Sequence, residues 1–242
     1  MIKTIDLTKT YRGKPAVDHL NLSVEKGQIF GFLGPNGAGK TTTVKMLAGV
    51  LKPSKGRIII DGIDMVRNPT AAKRIMGYIP DRPYLYEKLS AAEFLEMISG
   101  LYGLAQNSDV KQRIDHLLNL FELSSWRDEL IESYSHGMRQ RLVMCSALLY
   151  GPKVIVVDEP MVGLDPRGAR LVKEIFSKEA AKGTTIFMST HSLEVAEELC
   201  DQIGIINKGH LIACGTPEQL RAQAGVDGRL EQVFLKLTEE RQ

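Results

Sequence analysis

The sequence predicts an α/β fold with a mixed β-sheet core, a smaller antiparallel β unit and an inserted α-helical segment. The β-branched run at residues 154–157 is typical of a buried parallel strand. Leu20, Leu22 and Val24 alternate with polar residues, as in a strand with one buried face. Between residues 84 and 150 the apolar residues instead recur at helical spacing, which predicts the inserted helices.

Composition limits the functions to consider. The 242 residues carry 31 Lys and Arg against 29 Asp and Glu, and a net charge of +2 gives no support for nucleic-acid binding. The chain has three widely separated cysteines, Cys145, Cys200 and Cys214. Their odd number and spacing favour buried thiols in a reducing compartment over a disulfide framework or a zinc site. No apolar run is long enough to span a bilayer, and the first residues lack the apolar core of a signal peptide. We therefore expect a cytoplasmic protein that would rely on other chains for any membrane part.

Tyr11 lies near the predicted N-terminal strands. Ile2, Ile5 and Leu7 begin the first strand, and a turn is predicted at residues 12–15. Tyr11 falls in the predicted loop before the second strand. Because Tyr11 precedes the phosphate-binding pattern G-x-x-x-x-G-K-[ST] at residues 34–41, its ring could stack on adenine, or it could simply cover the hairpin. Spacing alone favours the second interpretation.

A phosphate-binding loop is the most specific feature of the chain. The pattern G-x-x-x-x-G-K-[ST] is matched by Gly34, Pro35, Asn36, Gly37, Ala38, Gly39, Lys40, Thr41 and Thr42. An apolar run at residues 29–33 precedes the loop, and a helical pattern begins near Lys40. Glycines let successive N–H groups point into one anion-binding concavity at a helix N-terminus. Lys40 can then reach the β- and γ-phosphates of a nucleotide, and the Thr41 hydroxyl can bind Mg²⁺.

Turn and cap signals predict the remaining elements. Further strands are predicted at residues 56–60, 76–79, 184–188, 203–206 and 211–214, the last two as a hairpin. Helices are predicted to start at Asn68, Ser90, Asp165 and Thr216, and to include residues 110–121, 138–149 and 193–199. The helix after Ser90 should bury Phe94, Leu95, Ile98 and Leu101.

Acidic residues end the β-branched strand. Asp158 stands where a phosphate-loop ATPase places the carboxylate that holds Mg²⁺ through water. Glu159 should project to the opposite side of the strand, where it could take a proton from an attacking water. His191, just past another strand, could sense the γ-phosphate. An Asp-Glu pair is more often merely solvated and a lone His more often structural, but the strand context and the phosphate loop favour the functional interpretation.

These elements resemble the nucleotide-binding domain of ABC-type ATPases over nearly the whole chain. Residues 34–42 match the family's Walker A loop, residues 154–159 its Walker B strand with the catalytic Glu, Asp165 its D-loop and His191 its switch histidine. The resemblance implies one domain over residues 1–242. It would have a P-loop NTPase core at residues 1–83 and 151–220, a helical subdomain at 84–150 and a helical tail at 221–242. It also implies that Tyr11 stacks on adenine, which reverses the interpretation from spacing.

Two motifs depart from the family pattern. The signature L-S-G-G-Q reads here as Tyr134, Ser135, His136, Gly137 and Met138. The resemblance implies that Ser135, His136 and Gly137 contact ATP held by a partner domain. The Q-loop glutamine is replaced by Asp81, whose side chain is shorter and charged. Asp81 is a further candidate metal ligand beside Thr41 and Asp158.

The resemblance also implies a function. Two such domains would dimerise head to tail around two ATP with Mg²⁺, as identical copies or as sister chains. ATP hydrolysis by this subunit would power an ABC transporter of exporter type at the inner face of the cell membrane, through transmembrane subunits that contact residues 81–88. Two other functions stay open. A soluble ABC ATPase acting on DNA or ribosomes is disfavoured by the near-neutral charge, so no direct nucleic-acid contact is expected. A non-hydrolysing regulatory module is disfavoured by intact Lys40, Asp158, Glu159 and His191.

Overall fold

Two β-sheets organise the computed structural model, which describes residues 1–105, 107–225 and 228–239. The strands are β1 Ile2–Tyr11, β2 Lys14–Val24, β3 Ile29–Leu33, β4 Lys55–Ile60, β5 Ile63–Asp64, β6 Met76–Ile79, β7 Val154–Asp158, β8 Thr185–Thr190, β9 Gln202–Asn207 and β10 His210–Gly215. A four-stranded antiparallel sheet has the order β2-β1-β4-β5, and a six-stranded sheet has the order β10-β9-β3-β8-β7-β6. In the second sheet only the β9–β10 pair is antiparallel.

Helices cover both faces of the six-stranded sheet. They are α1 Lys40–Leu47, α2 Pro69–Arg74, α3 Ala91–Leu101, α4 Ser108–Leu120, α5 His136–Leu148, α6 Pro166–Ala181, α7 Leu193–Leu199, α8 Pro217–Ala224 and α9 Leu230–Glu239. None of the helices in the described part of the chain is long and apolar enough to cross a bilayer.

The apolar core has two parts because side chains alternate across the six-stranded sheet. On one face, Phe30 and Phe32 of β3 pack with Phe187 of β8 against α1 and the antiparallel sheet. Ring centroids of Phe30 and Phe187 are 5.5 Å apart, and those of Phe32 and Phe187 are 5.4 Å apart. On the other face, Ile29 and Leu33 share a core with α3, α4, α5 and α6. The phosphate loop therefore begins on a strand that is buried on both faces.

Helices α3, α4 and α5 follow one another between β6 and β7, as the sequence predicts. Helix α3 begins with a complete capping box, in which Glu93 N donates to Ser90 Oγ at 3.2 Å and Ser90 N donates to Glu93 Oε2 at 2.8 Å. Helix α5 packs against α3 and α4 and also against β6. The helical insertion is thus joined to the main sheet through α5.

The structure corrects the sequence predictions at four places. Cys214 is exposed, unlike the buried Cys145 and Cys200, because it lies at an outward-facing position of β10. Leu101 is 75% exposed, so it does not belong to the buried face of α3. Tyr11 is the last residue of β1 and pairs with Lys14, so it is not in a loop and the hairpin turn is only two residues long. The two-residue strand β5 was not predicted, because so short a strand carries no periodic signal. The predicted α/β class with a mixed sheet, an antiparallel sheet and an inserted helical segment is confirmed.

A core truncation tests this packing. Phe187→Ala removes a ring that contacts two others, and should lower the free energy of unfolding by about 3–5 kcal/mol. Leu101→Ala, at an exposed position, should change it by less than about 0.5 kcal/mol. Chemical denaturation of both variants measures the difference. Equal losses in the free energy of unfolding would contradict the placement of Phe187 in the core and of Leu101 at the surface.

Candidate nucleotide-binding site

Three parallel strands bring the predicted site residues to one edge of the sheet. In the register of the pairs, Leu33 of β3 lies beside Thr190 of β8, and Asp158 of β7 lies beside Ser189 of β8. The phosphate loop, Glu159 and His191 each follow directly after one of these strands. Carboxyl ends of parallel strands are where ligands of open α/β sheets bind.

Glycine is required at two positions of the phosphate loop by close backbone contacts. A Cβ on Gly34 would lie 2.4 Å from Ile206 O, and one on Gly39 would lie 2.4 Å from Ala16 O. Gly39 also has φ of +111°, in the region that side chains rarely adopt. The loop is therefore pressed between β2 and β9, and larger residues at positions 34 and 39 would displace it.

Lys40 is held inside this loop. Its Nζ donates to Gly34 O at 2.7 Å and to Pro35 O at 3.2 Å. Burial lowers the pKa of Lys40, and the charges of Glu159 and Asp158 partly offset that effect. An ammonium has three donors, so one stays available beyond the two loop carbonyls. Lys40 thus presents a buried positive charge that an anionic ligand would stabilise.

Asp158 carries a buried charge that is only partly compensated. Burial raises the pKa of its carboxyl, while hydrogen bonding by the Ser189 and Thr41 hydroxyls acts in the opposite direction. Oδ1 accepts from Ser189 Oγ, but Oδ2 has no hydrogen-bond partner among the described residues. A buried carboxylate oxygen without a partner is costly unless a cation or water reaches it.

The residues present fit Mg²⁺. Within the described chain no group of three or more His, Cys, Asp or Glu side chains could hold a metal alone. Mg²⁺ needs no such cage, because it commonly keeps several waters and takes one or two protein oxygens together with substrate phosphates. The unpartnered oxygen of Asp158 and the hydroxyl of Thr41 suit that mode of binding.

Glu159 and His191 form a pair at the mouth of the site. Glu159 Oε2 lies 2.9 Å from His191 Nδ1 and accepts a hydrogen bond from His191 N at 3.3 Å. Glu159 N donates to Ser189 O at 3.0 Å. The expectation that Glu159 continues the strand alternation is wrong, because it lies just beyond β7 with φ of +50°. Such a conformation costs about 1–3 kcal/mol. Six other described non-glycine residues also have a positive φ, so the conformation alone does not mark a functional residue.

An open cavity of about 340 Å³ joins these parts. It is lined by Ala16, Asn36, Gly37, Gly39, Lys40, Thr41, Thr42, Glu159 and His191. Loop, acid and histidine thus converge as the sequence predicts, whereas Ala16, from β2, had no sequence signal. Tyr11 does not line the cavity. Its ring is half exposed with Lys9 Nζ 5.4 Å from the centroid, and adenine stacking stays a prediction.

The signature residues lie elsewhere on the same chain. Ser135 caps α5, with Met138 N donating to Ser135 Oγ at 3.3 Å. The ring of His136 lies directly against Gly163, since a Cβ there would be 2.1 Å from His136 Cδ2. Asp165 caps α6 by accepting from Gly168 N at 2.8 Å. The described residues that line the cavity do not include Ser135, His136 or Gly137.

Asp81 is exposed just beyond β6, at the same edge of the sheet as Asp158. Its charge contributes to the raised pKa of Asp158. It also contributes, after burial and Asp158, to a pKa of about 12 for Tyr78. A direct role of Asp81 as a metal ligand stays a prediction.

The fold and the site define a phosphate-loop nucleotide-binding protein with an acid-tipped strand and a histidine beside the loop. A family model described as "ABC transporter" matches residues 17–162. The chain belongs to the ABC transporter family. The predicted ATP-binding ATPase class is thereby confirmed at the level of the family.

Curated relatives agree with this assignment. The chain is 36% identical to the probable multidrug ABC transporter ATP-binding protein YbhF of Escherichia coli (strain K12) over 98% of its length. It spans only 41% of YbhF. It is 41% identical to the bacitracin transport ATP-binding protein BcrA of Bacillus licheniformis, over 88% of this chain and 68% of that protein.

Solved structures share the fold. An ATP-binding subunit of an ABC transporter superposes with a TM-score of 0.92 at 32% identity, over 98% of this chain and 99% of that one. The ATP-binding cassette MJ0796, described as a dimer in a post-hydrolysis state bound to ADP and Pi, gives a TM-score of 0.83 at 25% identity. That likeness covers 89% of this chain and 98% of that one.

Replacing Asp158 by Asn tests the cost of its buried charge. Because burial raises the pKa of Asp158, the penalty is absent below the ordinary value of 3.8 and grows as pH rises through the raised pKa. Asp158→Asn should therefore raise the melting temperature of the nucleotide-free protein at neutral pH, by roughly 2–4 °C per kcal/mol relieved. The gain should shrink as pH is lowered. Thermal unfolding across pH measures both effects.

Asp61→Asn is the matched control. Lys153 Nζ donates to Asp61 Oδ2 at 2.7 Å and lowers the pKa of that carboxyl, so neutralising Asp61 should bring no gain. If Asp158→Asn melts no higher than the unsubstituted protein at neutral pH, the charge of Asp158 is not destabilising and the account of this site fails.

Proposed function

We propose that this chain hydrolyses ATP to power a membrane transporter of exporter type, as one half of a head-to-tail pair of nucleotide-binding domains. One observation carries the proposal. Lys40, Glu159 and His191 converge on a single cavity, while Ser135, His136 and Gly137 lie outside it. A site that uses both groups needs a second domain, whose signature would cover the phosphates bound here.

ATP binding follows from the loop. Successive backbone N–H groups, the N-terminus of α1 and the ammonium of Lys40 would hold the β- and γ-phosphates. Thr41 and Asp158 would hold Mg²⁺, which when bound neutralises charge on the phosphates and orients them. The unfavourable burial of Lys40 and Asp158 in the free protein supports this role, since both charges gain partners when the nucleotide is bound.

Hydrolysis would use Glu159 and His191. Water attacks the γ-phosphorus, the bond to the ADP oxygen breaks, and the water proton passes to the Glu159 carboxylate. Inorganic phosphate and ADP leave, and Glu159 returns its proton to solvent. His191 holds Glu159 Oε2 through Nδ1 and its backbone N–H, which fixes the direction of the carboxylate. A positioned base of this kind contributes about 10²–10⁴-fold.

The partners are inferred from the family and from the surface. The dimeric MJ0796 cassette with ADP and Pi supports a second nucleotide-binding domain, either an identical copy or a sister chain. Separate transmembrane subunits would contact residues 81–88 and place the protein at the inner face of the cell membrane. Tyr84 and Tyr86 in that segment are 83% and 64% exposed. The names of YbhF and BcrA support export rather than import.

Glu159→Gln tests hydrolysis and pairing together. The amide keeps the shape of the side chain but cannot take a proton, so turnover should fall about 10²–10⁴-fold while ATP still binds. With ATP and Mg²⁺ the variant should accumulate as a dimer, as measured by phosphate release and by size-exclusion chromatography with light scattering. Glu174→Gln on α6, where Glu174 bonds only to Arg170 among the contacts described, should behave like the unsubstituted chain. A Glu159→Gln variant that hydrolyses ATP at the normal rate would exclude Glu159 as the base.

Truncating the exposed tyrosines tests the membrane contact. Tyr84→Ala and Tyr86→Ala should leave ATP affinity unchanged, because neither residue lines the nucleotide cavity. Each should lower ATP-driven transport in vesicles that contain the membrane subunits, by about tenfold or more if the ring is an interface hot spot. Leu101→Ala, at another exposed apolar position, should leave transport intact. Weakened ATP binding by the tyrosine variants would remove this segment from the docking surface.

A further inference from the structure

Arg139, in the first turn of α5, joins two distant segments of the chain. Its Nε donates to Tyr134 O at 3.1 Å and its Nη2 to Glu132 O at 3.0 Å, while Nη1 pairs with the carboxylate of Glu87. The side chain is only 26% exposed. A guanidinium is planar and rigid, so three bonds from one group fix the relative positions of all three acceptors.

The segment that carries Glu87 is tied to the same place by its backbone. Glu132 N donates to Glu87 O at 3.0 Å and Ile131 N to Leu89 O at 2.9 Å. Ser90 and Leu130 form an isolated antiparallel bridge. Residues 87–90 and 130–132 are therefore joined by hydrogen bonds into one unit, which begins one residue after the exposed ring of Tyr86.

Arg139 also binds the backbone carbonyls on both sides of the Ser135 α-carbon. Its side chain binds the carbonyl of Tyr134, and its backbone N–H donates to Ser135 O at 3.0 Å. The carbonyl on each side of the Ser135 α-carbon is thus held by the same residue. These bonds hold the backbone of Ser135 at the N-terminus of α5, while the Ser135 hydroxyl accepts a hydrogen bond from Met138 N.

We propose that Arg139 is a positioning residue that couples the exposed segment at residues 84–88 to the geometry of Ser135. This proposal rests on the proposed function, in which that segment meets the membrane subunits and Ser135 meets ATP on the partner domain. A displacement of the segment pulls on Glu87, and the guanidinium carries the displacement to the two carbonyls around Ser135. Arg139 touches no residue that lines the nucleotide cavity of its own chain in the contacts described.

The same helix offers a matched control in Arg141. Its side chain is 18% exposed, Nη1 donates to Phe121 O at 2.9 Å, and it lies 3.6 Å from the Glu122 carboxylate. Arg141 thus binds one carbonyl and pairs with one carboxylate, whereas the side chain of Arg139 binds two carbonyls and one carboxylate. The described contacts of Arg141 include neither Glu87 nor the residues around Ser135. A general stabilising role for arginines on α5 predicts the same effects for both.

The test uses Glu159→Gln protein, in which ATP-driven dimers should accumulate, with Arg139→Met, Arg141→Met or Glu87→Gln added. ATP affinity of the monomer is measured with a fluorescent ATP analogue, and dimer formation is titrated with ATP and Mg²⁺. Arg139→Met should keep the monomer's affinity and require about tenfold more ATP for half-maximal dimerisation, as the loss of charge-assisted hydrogen bonds would produce. Glu87→Gln should also raise the ATP concentration required for half-maximal dimerisation. Arg141→Met should shift it less than about twofold, within the usual scatter for sites without contact.

Amide hydrogen exchange on the same variants separates this inference from the proposed function. Arg139→Met and Glu87→Gln should both speed exchange at residues 135–139, and the double variant should add nothing further, since both break the same link. If no variant dimerises with ATP, the proposed function fails and the exchange data alone decide the coupling. Equal exchange in Arg139→Met and Arg141→Met, or additive effects of Glu87→Gln and Arg139→Met, would overturn the proposal.

Discussion

The parallel alignment of β3, β7 and β8 is the constraint on which the site depends. It sets Leu33 beside Thr190 and Asp158 beside Ser189, so that three chain segments far apart in sequence end at one edge. The phosphate loop then fits only because Gly34 and Gly39 allow backbone contacts with β9 and β2. Aromatic packing under β3 holds that strand in place. The chemistry is thus positioned by the sheet rather than by flexible loops.

Several residues at this edge of the sheet lower the stability of the free protein. Lys40 and Asp158 are buried with shifted pKa values, one oxygen of Asp158 has no described partner, and Glu159 has a left-handed backbone. Each feature is unfavourable in the free protein and is compensated by the buried apolar core on both faces of the sheet. A nucleotide with its metal would supply the partners that these groups lack. The free protein is in this sense prepared for its ligand.

Local patterns predicted most of the fold and the loop chemistry. Strand runs, caps and the glycine spacing act within a few residues, so the helix starts at Ser90 and Asp165 and the loop at residues 34–42 were found directly. Contacts between distant residues carried no sequence signal. Ala16 lines the cavity because its carbonyl lies against Gly39 of the phosphate loop, and the bond from Arg139 to Glu87 spans 52 residues. The exposure of Leu101 was missed because periodicity gives a helix's apolar face but not where its neighbours end.

The central claim is that the ATP site is completed by a second domain, and complementation tests it most directly. Lys40→Ala should disable the phosphate site of its own copy, and Ser135→Arg should block the proposed signature that a copy presents to its partner. Each purified variant alone should be inactive. If identical copies pair head to tail, an equal mixture should recover about a quarter of the turnover of the unsubstituted protein, because half of the dimers are mixed and each contains one intact site. A mixture as inactive as the separate variants would contradict a site shared between two copies of this chain.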